Sequence, residues 1–359
     1  MRSLAVWTTT AAVALLGGSL AAAETSTASA NATASAPAAA APANDDLHAA
    51  LSAYASYQTD VTNLRDHPVS TNAQLEMALD RVGRHNRDAL TRGWVAYGAY
   101  TAAQSQAFMQ GVRDAAAYYG RDAVIWAITV DPSYARGLRG GEEATALMIS
   151  SAEADSQRIT AVADQYHELA YSLQRQHWAN AVAPQQAARV QRVRGLGAAD
   201  APAAALPDGV APHLNVAILT LSPATDATAF GGKRFWDAVA GGGDVVAVSS
   251  TPVVYKASPP RAPALDRMAA VAALQALDAG GGLQSQVSQL LDDPRSRDCF
   301  EMAQLQLYQC MSAAHFRFEN AFCLGEHGLR EIGTCIGAVA TPDASAMTPI
   351  APLAPATRQ

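Results

Sequence analysis

Lysine is nearly missing from this 359-residue chain: it occurs only at Lys233 and Lys256, and arginine supplies the rest of the positive charge. The formal net charge is −7. A mildly acidic chain without a basic run lacks the face that nucleic acid requires, so no nucleic-acid partner is expected. Cysteine is absent until Cys299, after which four appear: Cys299, Cys310, Cys323 and Cys335. None lies close enough to another for the paired spacing of structural zinc or for a C-x-x-C redox motif. The catalytic signatures H-E-x-x-H, G-x-x-x-x-G-K-[ST], G-x-S-x-G and S-x-x-K are missing too. No repeat of fixed period is present, which argues against solenoids and propellers. No cofactor and no metal are expected.

The first 23 residues read as a secretory signal peptide. Arg2 forms a short positive region, an apolar run follows from Leu4, and Ala21-Ala22-Ala23 offers small residues for cleavage after Ala23. Thr8, Thr9, Thr10, Gly17 and Gly18 interrupt the run and disfavour a membrane anchor. No later stretch is apolar enough to span a membrane, so no span is expected after cleavage. Cleavage removes Arg2 and takes the charge from −7 to −8. Residues 24–44 are almost wholly Ala, Ser, Thr, Pro and Asn, the composition of a disordered tether. The heavy Ala load and the preference for Arg over Lys fit a bacterial chain, placed in the periplasm or outside the cell.

The expected fold is mainly α. An antiparallel helical bundle is expected over 45–196, followed by an Ala/Pro-rich linker at 197–212. A C-terminal lobe, 213–339, should combine short extended segments with a helical hairpin, and 340–359 reads as a disordered tail. Thr71-Asn72-Ala73-Gln74 has the form of a capping box. The apolar pattern behind it runs loosely on through Trp94, Tyr97 and Tyr100. A second helix should start at Glu142-Glu143, where Ile159, Val162, Tyr166, Leu169 and Leu173 step at the spacing of a packed seam. Leu265 to Leu277 reads as another helix. Leu214–Leu221 could be a short strand or an extended segment, and Val245–Val248 with Val253–Tyr255 a small hairpin or a long loop.

The cysteines define the C-terminal hairpin. If both cysteine segments are helical, Cys299 and Cys310 are eleven residues apart, a rise of about 16 Å. A disulfide needs Cα atoms about 4.4–6.8 Å apart. Cys299–Cys310 is therefore excluded, and so is Cys323–Cys335. With a turn near Arg317 to Asn320, Cys310 and Cys323 lie about equally far from it, as do Cys299 and Cys335. The spacing predicts Cys310–Cys323 near the turn and Cys299–Cys335 at the open end. In outline the hairpin resembles the coiled-coil-helix-coiled-coil-helix hairpins, which carry two cysteines per helix. Their spacing differs, and the resemblance implies a shape and no function.

Two groups of side chains are candidate sites. His315, Glu319, Glu326 and His327 form the densest polar cluster and have the chemistry of a general base or of metal ligands. As a structural set they are a solvated face with helix-end charges. Trp94, Tyr97, Tyr100 and Phe108 form an aromatic stripe, which Tyr118, Tyr119 and Trp126 could extend. The stripe suits either a ligand groove or the core. His167 and His177 fall on different sides of one helix and read as surface residues. Glu142 and Glu143 suit a helix N-terminus better than a pair of catalytic acids. The leading expectation is a non-enzymatic envelope protein that binds an envelope protein or polymer. The alternative is an envelope-polymer hydrolase whose site is assembled from distant carboxylates or histidines.

Overall fold

The computed structural model describes residues 45–198, 236–237, 255–277 and 282–342. The leader, the tether, the 214–221 and 245–248 segments and the tail beyond 342 lie outside the described residues. The fold is mainly α, and local caps explain where its helices begin. Thr71 caps α2 (Asn72–Gly83): its side chain accepts the Gln74 amide, and Gln74 Oε1 accepts the Thr71 amide at 3.1 Å. Preceding it is α1 (Asp45–Asp66). The apolar pattern does not continue unbroken from α2. Asn86 Oδ1 accepts the Ala89 amide at 2.8 Å and starts a new helix, α3 (Arg87–Ala102). Ser105 caps α4 (Gln106–Tyr119) in the same way, and Gly120 joins it to α5 (Arg121–Val130). A single turn, α6 (Ser133–Arg136), leads to α7 (Gly141–Leu173). The last helix of the first half is α8 (Gln186–Ala198).

The second half opens with β1 (Tyr255–Ala257), then α9 (Ala262–Ala276) and α10 (Gln284–Leu291). Asp293 caps α11 (Pro294–Ala313), with Pro294 in its first turn. The chain then forms α12 (Arg317–Cys323), a π-helical segment (Leu324–Arg330), α13 (Glu331–Gly337) and β2 (Ala340–Pro342). The β1 strand pairs antiparallel with β2, Lys256 opposite Thr341. Tyr255 thus pairs across the chain instead of with a neighbouring hairpin strand, and Ala340 to Pro342 belong to the fold, not to a tail.

Helix α3 is the centre. From Leu90 to Ala102 every residue but Arg92 is buried, and α1, α7, α9, α10 and α11 surround it. Helix α9 is likewise buried from Met268 to Leu274. Helices apolar on all sides belong inside a protein. The residues before and after the Ala/Pro-rich stretch contribute to one continuous core. That stretch divides the sequence but not the packing.

Both disulfides lie in the C-terminal hairpin. Cys299 pairs with Cys335, Cα atoms 5.8 Å apart, and Cys310 with Cys323 at 5.6 Å. The turn falls at 314–316, slightly earlier than expected. It is held by the segment after α7: the Ala183 amide donates to the His315 carbonyl at 2.8 Å, and the Phe318 amide to the Ala179 carbonyl at 3.2 Å. Disulfides mark an oxidising, non-cytoplasmic compartment.

The π-helical segment replaces what the sequence reads as plain α-helix, and it has a packing consequence. In an uninterrupted α-helix, Gly333 and Gly337 would sit about 80° and 120° around from Gly325. A π turn absorbs about one extra residue and takes back about 100° of that rotation. Gly325, Gly333 and Gly337 then all meet α7. A Cβ on Gly325 would lie 3.0 Å from Tyr166, and one on Gly333 3.2 Å from the Ser156 carbonyl.

Candidate functional site

Helix α1 is largely buried from Ala50 to Leu64, yet it carries Ser52, Ser56, Gln58, Asp60 and Thr62 into the interior. Buried polar groups need partners, and these organise around two carboxylates. Asp155, from α7, is fully buried. Its Oδ1 accepts the Trp236 indole N–H at 2.6 Å, and its Oδ2 accepts the Tyr54 hydroxyl at 2.9 Å. One turn along α7, Arg158 donates to the Gln58 carbonyl at 2.9 Å and to Thr62 Oγ1 at 2.6 Å. Burial pushes the Arg158 pKa down, and Asp155 opposes the shift. Burial foremost, then Asp155, raises the Tyr54 phenol well above its usual value. The Trp236 ring completes an aromatic group, 5.7 Å from Tyr54 and 5.1 Å from Tyr97 between centroids.

The second carboxylate is Asp60. Its Oδ2 lies 2.7 Å from His85 Nε2 and accepts Arg84 Nε at 2.8 Å. His85 is itself buried, and burial lowers its pKa below 6.5 despite the pull of Asp60. The 2.7 Å contact is a hydrogen bond whose donor and acceptor depend on the imidazole tautomer. Beside this pair lies a crevice of about 10 Å³, lined by Tyr57, His85, Val82, Leu90, Leu307 and Ile332. The Tyr57 hydroxyl is buried without a hydrogen-bond partner, and burial raises its pKa. Half-buried Gln304, Tyr308 and His327 complete the lining.

The polar cluster expected in the hairpin is split. Glu319 accepts the amides of His315 and Phe316, the latter at 2.9 Å, and so caps the start of α12. Glu326 lies on the π segment, 3.1 Å from Arg330 Nε and 3.0 Å from His167 Nε2. His327 Nδ1 is 2.8 Å from Glu331 Oε1. The two halves have no partner in common, because the turn and the π segment face different neighbours. His167 is not a free surface group: its ring stacks on Phe322 at 4.8 Å. His177, Glu142 and Glu143 are exposed. All four cysteines are disulfide-bonded and so unavailable to metal. Among the described residues no group of three His, Cys, Asp or Glu is placed to hold a metal ion.

The aromatic groove must be corrected. Trp94, Tyr97 and Tyr100 are buried because helices enclose α3 on all sides, and Phe108 is buried at the start of α4. Trp94 meets Phe300 of α11 edge-on at 6.5 Å. Exposed aromatics lie elsewhere: Tyr118 is 81% exposed, Tyr119 65% and Trp126 67% on α4 and α5, with Val130 at 63%, while Tyr171 on α7 and Phe322 on α12 are exposed singly. Arg139 pairs with Asp114 near this surface, and Arg121 with Asp122.

Asp60, His85, Asp155 and Trp236 were not singled out by sequence. A signal existed for Asp155, which stands on the buried seam that continues back from Ile159, three residues after Ala152. No local signal brings Trp236 to it. No protein-family model, curated protein or solved structure matches this chain.

Proposed function

We propose that this chain is an exported, non-enzymatic binding protein of the bacterial envelope that docks a protein or polymer through the α4–α5 hairpin. The observation that carries this reading is the exposure of Tyr118, Tyr119, Trp126 and Val130 on one short hairpin. Several large exposed apolar side chains on two successive helices are a common mark of an interaction surface. Tyrosine and tryptophan are also the residues that most often dominate binding energy. Arg121 pairs with Asp122 and Arg139 with Asp114, which offsets most of the nearby charge and suits a weakly charged partner. The signal-like leader and two disulfides support export to the periplasm or beyond.

Hydrolysis of a polymer by paired carboxylates has less support. Asp60 is bound by His85 and Arg84, and Asp155 by Trp236 and Tyr54. Asp293 accepts the Ser296 amide at 2.9 Å. Each acid buried among the described residues is committed to the fold. The test is capture from envelope extract on immobilised full chain. Tyr118→Ala with Trp126→Ala should weaken capture of a specific partner about 30-fold, the effect of losing one strong interface anchor. Equal capture by both proteins would end the assignment to this hairpin.

A further inference from the structure

Tyr118, Tyr119 and Trp126 share a trait beyond exposure. Each presents a flat apolar ring with one polar atom at its rim. The Tyr118 and Tyr119 rings meet edge-on, centroids 4.6 Å apart and planes at 83°. Each steadies the other while most of both stays in solvent. On α5, Asp122, Trp126 and Val130 recur every fourth residue, about 6 Å apart along the axis. They lie opposite the buried Val124 and Ile128. The exposed neighbours Ala117 and Ala123 are too short to cover the rings.

We propose that this surface binds a neutral polysaccharide, its sugar rings stacked on Tyr118, Tyr119 and Trp126. The inference rests on the docking role given to α4 and α5 above and names the partner. A pyranose has the matching chemistry: an apolar C–H face and a rim of hydroxyls. Its C–H groups are attracted to the negative face of an aromatic ring, and its hydroxyls can bond the tyrosine O–H and the indole N–H. The rings stand on exposed helix faces with alanines beside them, so an extended chain that touches them in turn fits better than an enclosed small solute.

Three other partners fit less well. Arg113, Arg121 and Arg139 are matched in number by Asp114, Asp122 and Asp131, so no net charge draws a polyanion. A lipid bilayer would have to take in Asp122, 99% exposed and one turn before Trp126 on the same row, which is costly. The centre of a protein interface packs like an interior, whereas α4 and α5 expose no Leu, Ile, Met or Phe.

The test is affinity electrophoresis of the full-length, disulfide-bonded protein. Native gels are cast with dextran, hydroxyethyl cellulose or galactomannan, three soluble neutral polysaccharides of different linkage. At least one should retard wild type. Trp126→Ala should weaken that binding about 30-fold, the loss of one strong anchor. Trp126→Phe keeps a ring face and should stay within about 5-fold of wild type. Tyr171→Ala, at an exposed ring on α7, should bind as wild type does. Both positions are exposed, so these substitutions leave the core intact.

No retardation in any of the three gels would overturn the proposal, and so would equal retardation of wild type and Trp126→Ala. Binding to vesicles of phosphatidylethanolamine and phosphatidylglycerol in place of glycan would do the same. Trp126-dependent capture of a protein from envelope extract, without retardation by glycan, would remove the polysaccharide and leave the docking role of α4 and α5 standing. Failure of both capture and retardation would remove both.

Discussion

Trp236 offers the sharpest test of the buried network. It is fully enclosed, its indole N–H reaches Asp155 Oδ1 at 2.6 Å, and its ring meets Tyr54 and Tyr97. Beside it, Asp237 accepts Arg65 Nη1 at 2.8 Å. Trp236→Ala removes a large buried side chain, which costs about 3–5 kcal/mol. Each aromatic contact adds about 0.5–1.5 kcal/mol beyond burial, so the upper half of that range is expected. Trp236→Phe keeps a ring but loses a hydrogen bond to a charged acceptor, worth about 1.5–3 kcal/mol. The assay is urea denaturation of the full chain with disulfides intact, followed by far-UV circular dichroism. Alanine must cost more than phenylalanine, and both must exceed surface substitutions. A loss below about 1 kcal/mol for Trp236→Ala would falsify the placement of this ring in the core.

Three further outcomes are expected. Removing Cys299–Cys335, which spans 36 residues, should cost about 4 kcal/mol, and removing Cys310–Cys323, which spans 13, about 3 kcal/mol; the reverse order in denaturation midpoints would contradict the loop argument. A Cβ on Gly93 would lie 2.7 Å from the Ala50 carbonyl, whereas one on Gly98 meets the flexible end of Met268. Gly93→Ala should therefore cost about 1–3 kcal/mol and Gly98→Ala less, as read from melting temperatures. His85 has a lowered folded pKa, so the unfolded chain binds its proton first. Its contribution to stability is complete above about pH 6.5 and is lost as pH falls from there through the folded value. Between pH 7.5 and pH 5, wild type should lose more stability than His85→Gln, and equal losses would show that His85 is protonated alike in both states.

The hairpin was legible because its determinants are local. Helical rise excludes the within-helix disulfides, and near-equal distances from one turn leave a single sensible pairing. Caps at Thr71 and Asn86 act within three residues, so they too can be read directly, although the second was missed in a loose apolar pattern. The aromatic stripe was ambiguous for a physical reason: Trp94 and Trp126 are the same residue type, and only neighbours decide which is covered. Helices pack around α3 and leave the far side of α5 bare.

By itself, then, the sequence determined a mainly helical chain and a cysteine-stapled hairpin. The absence of known catalytic motifs was equally plain. Tertiary structure decided everything that depends on distant partners. It set Asp60 against His85, brought Trp236 onto Asp155 across 81 positions, and paired Lys256 with Thr341. It also turned Gly325, Gly333 and Gly337 onto α7 through a π segment. The physical reason is that helix propensity and caps act over a few residues. The partner of a buried charge is chosen only when the helices close around it, where leaving it unpaired costs too much.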